Sequence, residues 1–263
     1  MTIWANENIV DEYRRWVESP AGSLALQSKK KLIVDLISGW PRRGRRFLEV
    51  GCATGLMTEM FYHAGFDVTG LDCSPLMLAE ARELLGRRAE FFLGRAEHLP
   101  FDDNQFDYVS VGSVLEFVEE PEAVLAEALR VASCGVIVTV YSKWSFHYLL
   151  RSRSGGGCVE NRRWLSPVTV DKMIREQVDT GELTRRSILL GPVCTWKETP
   201  LLGWINSRIM PYGLGALSGI CVDKNDTKMT IPLRIQKRRA KPAILNACRT
   251  NLAARNPTST FDK

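Results

Sequence analysis

The segment Glu49-Val50-Gly51-Cys52-Ala53-Thr54-Gly55 joins an acidic residue at the end of an apolar run to a turn of small residues. Glycine lets such a turn adopt unusual dihedrals and lets the backbone approach a ligand closely. A helix opening just after it would aim unpaired N–H groups at a carboxylate or phosphate. Asp72 follows 21 residues after Gly51. At the end of the next strand, its carboxylate can accept two hydrogen bonds from a ribose diol. This constellation suits a nucleoside ligand and does not by itself choose which one. A dinucleotide fingerprint wants glycine at 51, 53 and 56. This chain has Gly51, Ala53 and Leu56, with Gly55 as its second glycine. Side chains at 53 and 56 crowd a pyrophosphate, whereas S-adenosylmethionine (SAM) carries none. A plain strand-turn-helix with incidental glycines is the bland alternative.

Those residues need elements to hold them. Residues 6–18 space Ile9, Tyr13, Trp16 and Val17 at helical intervals, and Ser19-Pro20-Ala21-Gly22 breaks the pattern. A second helix is expected over 24–38. Strands are expected at 46–50, 67–71, 90–93, 107–111 and 135–140, with helices at 56–64, 74–85 and 122–131. Ser74-Pro75 and Ser166-Pro167 each read as an N-cap followed by a first helical turn. A helix is expected over 166–177, and strands at 187–190 and 215–222. Alternating strands and helices demand a parallel sheet covered on both faces. The expected fold is therefore α/β, a doubly wound, mostly parallel sheet.

Composition bounds the rest. The chain has 263 residues, 45% hydrophobic and 25% charged, enough for one substantial core. Its net charge of +5 is unevenly spread: nine Lys or Arg and one acid fall in 227–263. Such a basic tail is a docking feature for nucleic acid or another anionic partner, though a solvated end is the favoured reading. Seven scattered cysteines without a CxxC argue against a disulfide framework and against a zinc site. No metal is expected. The N-terminus lacks the basic-then-apolar layout of a signal peptide. Ile209 to Val222, with Pro211 and three glycines, is too short to span a bilayer. A cytoplasmic protein without a membrane span is expected.

Four ordered segments narrow the reading: FLEVGCATG, VTGLDCSPLMLAEA, GRAEHLPFDDNQFDYV and SVLEFVEEPEAVLAEALRVASCGVIVTV. In order and spacing they resemble the methyltransferase type 11 family of class I SAM-dependent methyltransferases, over about residues 46–141. The resemblance implies a Rossmann-like sheet of seven strands with the last antiparallel, SAM as co-substrate, and transfer of a methyl group to an acceptor. It implies that Glu49, Gly51, Ala53 and Gly55 frame the methionine part of SAM. Asp72 would hold the ribose hydroxyls and Cys73 would lie beside the adenine. Ala96 and Glu97 would flank the adenine edge, and Ser113 would follow the fourth strand near the sulfonium. Tyr13 and Trp16, in a stretch also similar to family members, would fold over the cofactor as a cover; a packing helix is the alternative. Two departures stand out. Ala53 replaces a usual glycine. Arg95, with donors only, stands where the family often has an Asp that accepts from adenine.

The organisation expected is an N-terminal helical cover (1–40), a SAM-binding core (41–141), an acceptor-pocket region with the last strands (142–226) and a basic tail (227–263). A small-molecule acceptor is favoured. A non-catalytic SAM-binding protein is one alternative. An RNA or protein methyltransferase docking through the tail is another. A nicotinamide-dependent oxidoreductase is disfavoured by the glycine spacing. No residue is assigned as a general base. His147, Tyr148, Trp164, Trp196 and Trp204 are acceptor-side candidates, each read first as a packing residue.

Overall fold

A computed structural model describes residues 7–143, 163–178, 181–196 and 199–224. His147, Tyr148 and the basic segment 227–263 lie outside the described residues. Two helices lead in: α1 (Glu7–Glu18) and α2 (Pro20–Leu36). The alternating part follows as β1 (Arg46–Val50), α3 (Leu56–His63), β2 (Asp67–Asp72), α4 (Pro75–Leu85), β3 (Ala89–Leu93), β4 (Phe106–Gly112), α5 (Pro121–Val131) and β5 (Ala132–Tyr141). The described chain ends with α6 (Pro167–Arg175), β6 (Glu182–Ile188), α7 (Pro200–Asn206) and β7 (Leu217–Asp223).

The strands form one seven-stranded sheet in the order β3-β2-β1-β4-β5-β7-β6. The first five are parallel, and β7 runs antiparallel to both β5 and β6. The chain winds outward from β1 to β3 and resumes on the other side of β1 with β4. This reversal leaves a crevice at the carboxyl ends of β1 and β4, where ligands bind in such sheets.

Both faces are buried, as parallel strands require. Leu48, Val50, Val109, Val111, Val136 and Val138 pack with Val124, Leu125 and Ala128 of α5 and Val170 and Ile174 of α6. Their neighbours along the strands, Phe47, Tyr108 and Ile137, face Leu32, Ile33 and Leu36 of α2 and Met57 and Phe61 of α3. Phe47 and Phe61 are fully buried and stack with ring centroids 4.0 Å apart. Truncating either to alanine would cost roughly 3–5 kcal/mol.

Three expectations about elements need correction. Ser19 to Gly22 is not a break: Ser19 caps α2 through its hydroxyl, which accepts from the Gly22 N–H, and Pro20 is already the first turn. The join between α1 and α2 is Ser19 alone, and its hydroxyl also donates to the Trp16 carbonyl at 2.6 Å. Glycine at 22 allows this, because a Cβ there would sit 1.8 Å from that carbonyl oxygen. The sixth strand is Glu182–Ile188, earlier than the apolar pattern places it. Its Thr184-Arg185-Arg186 stretch suits an edge strand, where charge discourages further pairing. The third is α7, a short helix with no expected counterpart; its Leu201 and Trp204 stay exposed, which hides the usual amphipathic signal.

Candidate active site

The carboxyl ends of β1 and β2 carry two acids on one crevice. Glu49 is 3% exposed. Its carboxylate accepts from the Thr58 hydroxyl, one turn into α3. Burial pushes Glu49 up to about 7; the Thr58 bond and the positive Lys29 oppose that, and Asp72 adds to it. Asp72 ends β2. Its Oδ2 accepts the Ala53 N–H at 2.8 Å and its Oδ1 the Ser74 N–H at 2.9 Å. Burial raises Asp72 from its ordinary value, and backbone N–H groups of Ser74, Ala53 and Cys73 partly offset the rise. Asp72 therefore ties the two strand-end turns together while each oxygen keeps a second lone pair.

The turn between β1 and α3 is the tight one expected. Gly51 and Gly55 adopt φ of 72° and 82°, and both N–H groups of Gly51 and Cys52 reach the Leu71 carbonyl, at 2.7 and 3.0 Å. Ala53 takes φ 47°. This left-handed conformation costs an alanine about 1–2 kcal/mol relative to the right-handed one, so the departure from glycine is tolerated but strained. Ser113, just past β4, is likewise left-handed at φ 61°.

Tyr13 of α1 reaches into the same crevice. Its hydroxyl hydrogen-bonds the Thr54 side chain, and burial raises its pKa, with Glu49, Tyr141 and Asp72 adding to the rise. Trp16 is different. Its ring lies 6.3 Å from Tyr13 and is packed, partly buried, against the α2-side cluster. The structure thus brings Glu49, Gly51, Ala53, Gly55, Asp72 and Tyr13 to the carboxyl ends of β1 and β2, while Trp16 packs partly buried on the α2-side cluster.

Along the sheet toward β3, Cys73 follows Asp72 and is pushed up to about 11, mainly by burial. Ala96 packs on the core. Arg95 folds back onto Glu97, Nη2 to Oε1 at 3.1 Å. Burial alone would raise Glu97, but the Arg95 hydrogen bond, its own backbone N–H and the Arg95 charge hold it below the usual range. Arg95 is thus engaged by the acid two residues on.

Two participants escape motif reading, Thr58 and Lys29, and Thr54 stands within the motif without an assigned role. Lys29 of α2 donates to the Gly112 carbonyl at 3.2 Å and lies 3.5 Å from the Ser113 hydroxyl. The usable signal was phase: Lys29 is four residues after buried Ala25 and three before buried Leu32. Of the other candidates, Trp196 is core with its indole N–H on the Gly191 carbonyl, and Trp164 packs partly buried on the α2-side cluster. Trp204 is 61% exposed. Among the described residues, no three His, Cys, Asp or Glu side chains converge to hold a metal ion. No helix among them is long and apolar enough to cross a membrane.

Comparison with known proteins agrees with this geometry. A family model described as a methyltransferase domain matches residues 48–140, from β1 through β5. Residues 48–140 are a class I SAM-dependent methyltransferase domain. The chain is 39% identical over 121 residues to a demethylmenaquinone methyltransferase of Renibacterium salmoninarum, covering 44% of this chain and 49% of the relative. It is 37% identical over 140 residues to a phosphatidylethanolamine N-methyltransferase of Cereibacter sphaeroides, covering 51% of this chain and 66% of the relative. The chain thus spans about half to two thirds of the length of these curated relatives. A crystal structure of a SAM-dependent methyltransferase from Thermotoga maritima superposes with a TM-score of 0.66 at 23% identity, covering 83% of this chain and 97% of the other. A magnesium protoporphyrin IX methyltransferase from Synechocystis with bound S-adenosylhomocysteine (SAH) superposes with a TM-score of 0.62 at 15% identity, covering 84% and 97%. These two likenesses establish the fold and leave the acceptor open.

Proposed function

We propose that the chain is a SAM-dependent methyltransferase acting on a small-molecule acceptor. The observation that carries this reading is the pair of buried acids, Glu49 and Asp72, both raised by burial at adjacent strand ends. Asp72 also disfavours the charge on Glu49. A ligand bringing positive charge relieves both, whereas the diphosphate of a dinucleotide would be repelled. SAM carries a sulfonium and an ammonium, so the crevice fits its charge. When bound, it supplies a methyl group on positively charged sulfur to a nucleophile.

On this reading Asp72 takes the ribose hydroxyls through its remaining lone pairs. The Gly51–Gly55 turn and Glu49 face the methionine part. Cys73, Ala96 and Glu97 line the adenine end, and Ser113 stands near the transferring methyl. Tyr13 closes the opening and excludes water, which strengthens every charge interaction inside. The acceptor approaches from the β4 and β5 side. Relatives named for demethylmenaquinone and for ubiquinone biosynthesis O-methylation favour a quinone-like aromatic acceptor. An ionised ring oxygen or activated ring carbon needs alignment for in-line attack more than it needs a base.

The test is calorimetry of the cleaned full chain with SAM and SAH. One site per chain with submillimolar affinity is expected. No heat and no thermal shift at millimolar ligand would overturn the reading. A panel of demethylated quinols, followed by mass spectrometry for a gain of one methyl, tests the acceptor.

A further inference from the structure

The connection between β6 and β7, residues 189–216, lies at the carboxyl edge of the sheet. Ile188 and Leu217, which flank it, pair with each other, and Leu217 also pairs with Tyr141 at the end of β5. The connection therefore stands on the same edge as the Glu49 and Asp72 crevice, on its β5 side. Among the described residues nine large apolar side chains are exposed, and four of them, Val193, Leu201, Trp204 and Leu214, belong to this connection. Leu201 and Trp204 are 67% and 61% exposed and three apart on α7, so they share one face. Apolar exposure concentrated in this way marks an interaction surface. The helix that carries it is secured. Asn206 at its end is buried; its Oδ1 accepts the Gly191 N–H at 2.9 Å, and its Nδ2 donates to the Thr195 carbonyl at 2.9 Å. Its own carbonyl accepts the Leu189 N–H at 3.1 Å. The fold thus holds Leu201 and Trp204 out in water on a fastened helix.

We propose that α7 docks the chain on a phospholipid surface, with Leu201 and Trp204 entering the acyl boundary and Arg208 meeting the headgroup phosphates. Three observations favour lipid as the occupant. The Arg208 guanidinium sits over the Trp204 ring, 5.5 Å from its centroid. A tryptophan ring at a bilayer surface lies at headgroup level, so a guanidinium stacked on it lies level with the phosphates. Residues 199–216 contain no acid, so no side-chain charge on that stretch repels the phosphate layer. Protruding single side chains also enter a fluid bilayer without the matching pockets that a folded partner would have to supply. Docking would set the crevice edge against lipid, where a hydrophobic quinone-like acceptor dissolves. That consequence rests on the methyl-transfer reading of the crevice; the docking itself does not.

Phosphatidylcholine vesicles are the probe, because they present phosphates without net charge and so offer little to the basic segment 227–263. Flotation is run in about 0.5 M NaCl, where the screening length falls to about 4 Å. The full-length wild type should partition onto vesicles at millimolar lipid. Leu201→Ser with Trp204→Ser should lower that partition roughly tenfold or more, since two large apolar side chains no longer leave water. Arg208→Gln should lower it by a smaller factor. SAH affinity should be the same in all three, because the altered side chains are exposed. Lipids brominated on the acyl chain should quench part of the wild-type tryptophan fluorescence, and that part should be missing in Trp204→Phe. Undiminished flotation of the double variant, or no flotation of the wild type, overturns the proposal. So does a wild-type dimer that ignores vesicles and falls apart in the double variant, which would make this face a contact between copies of the chain. If vesicles bind as expected but SAH does not bind the wild type, the methyl-transfer reading falls and the docking stands.

Discussion

Glu49 and Asp72 do different work although both end strands beside the same turn. Asp72 already accepts two backbone N–H groups, so it is preorganised to receive hydroxyls without reorienting. Asp72→Ala should weaken SAM and SAH by roughly tenfold or more, since a hydrogen bond to a charged group is worth about 1.5–3 kcal/mol. Calorimetry on the folded mutant checks this, and unchanged affinity would remove Asp72 from the ribose. Glu49 has the pH signature. Its raised folded-state pKa means that burial costs nothing while the group is protonated, below the usual carboxylate range. The cost grows as pH rises through about 7. Glu49→Gln should therefore melt higher than wild type at pH 8, with the gap closing toward pH 5. A cationic ligand favours the ionised form, so binding near pH 6.5 should expel a proton, seen as a heat that depends on the buffer. Loss of that dependence in Glu49→Gln identifies the group. Both acids were legible in the sequence because an acid closing an apolar run is unusual. Thr58 and Lys29 were not, because a threonine in a short helix and the first lysine of Lys29-Lys30-Lys31 look like ordinary surface residues until helical phase is fixed.

At the scale of elements, the sheet was legible and its margins were not. Parallel strands buried on both faces write themselves as apolar runs, so β1, β2, β4 and β5 were placed within a few residues. The edge strand β6 carries Arg185 and Arg186, and Arg185 pairs with Asp171 of α6, so its charges disguise it. At the start of α2, Ser19-Pro20 looks like a break because Ala21 and Gly22 follow it, yet it is the same Ser-Pro cap as at Ser74 and Ser166. That correction changes how α1 can act. A one-residue join with two hydrogen bonds is a stiff corner, and Arg14 pairs with Glu80 of α4 at the far side. We therefore expect α1 to open by local fraying about Ser19 rather than by swinging on a long hinge. Amide exchange over residues 8–18 should slow on SAH binding, while α2 changes little. Tyr13→Phe should reduce that gain, because its hydroxyl is what reaches Thr54. Equal protection with and without ligand would make α1 a fixed packing helix.

At the scale of the molecule, the question is where the cooperative unit stops. The compact unit containing the described residues runs Met1–Asp226. Its last strand, β7, is interior to the sheet between β5 and β6, with Ile220 and Val222 in one core layer and Leu217 and Cys221 in the other. Lys224 then fastens the end. Its ammonium donates to the carbonyls of Leu129 and Ala132, at 3.0 and 2.7 Å, and its backbone N–H donates to Cys134 at 2.8 Å. These bonds satisfy carbonyls at the last turn of α5, where a cation also complements the helix dipole. The fold is therefore closed by residue 224, and the nine basic residues beyond 226 are not needed to complete this sheet. Removing 227–263 should leave SAH affinity within about twofold and the melting temperature within about 2–4 °C, the shift expected of roughly 1 kcal/mol in a chain this size. The same truncation should abolish any salt-sensitive retention on immobilised RNA or anionic vesicles, since it removes nine Lys or Arg against one acid and turns the net charge from +5 to −3. Lys224→Met in the truncated chain supplies the contrast: losing a cation that serves two carbonyls should lower the melting temperature further. If deleting 227–263 alone causes aggregation or loss of SAH binding, the cooperative unit extends past Lys224 and the basic segment is structural. If retention on RNA survives the deletion, the basic surface that matters lies within residues 1–226.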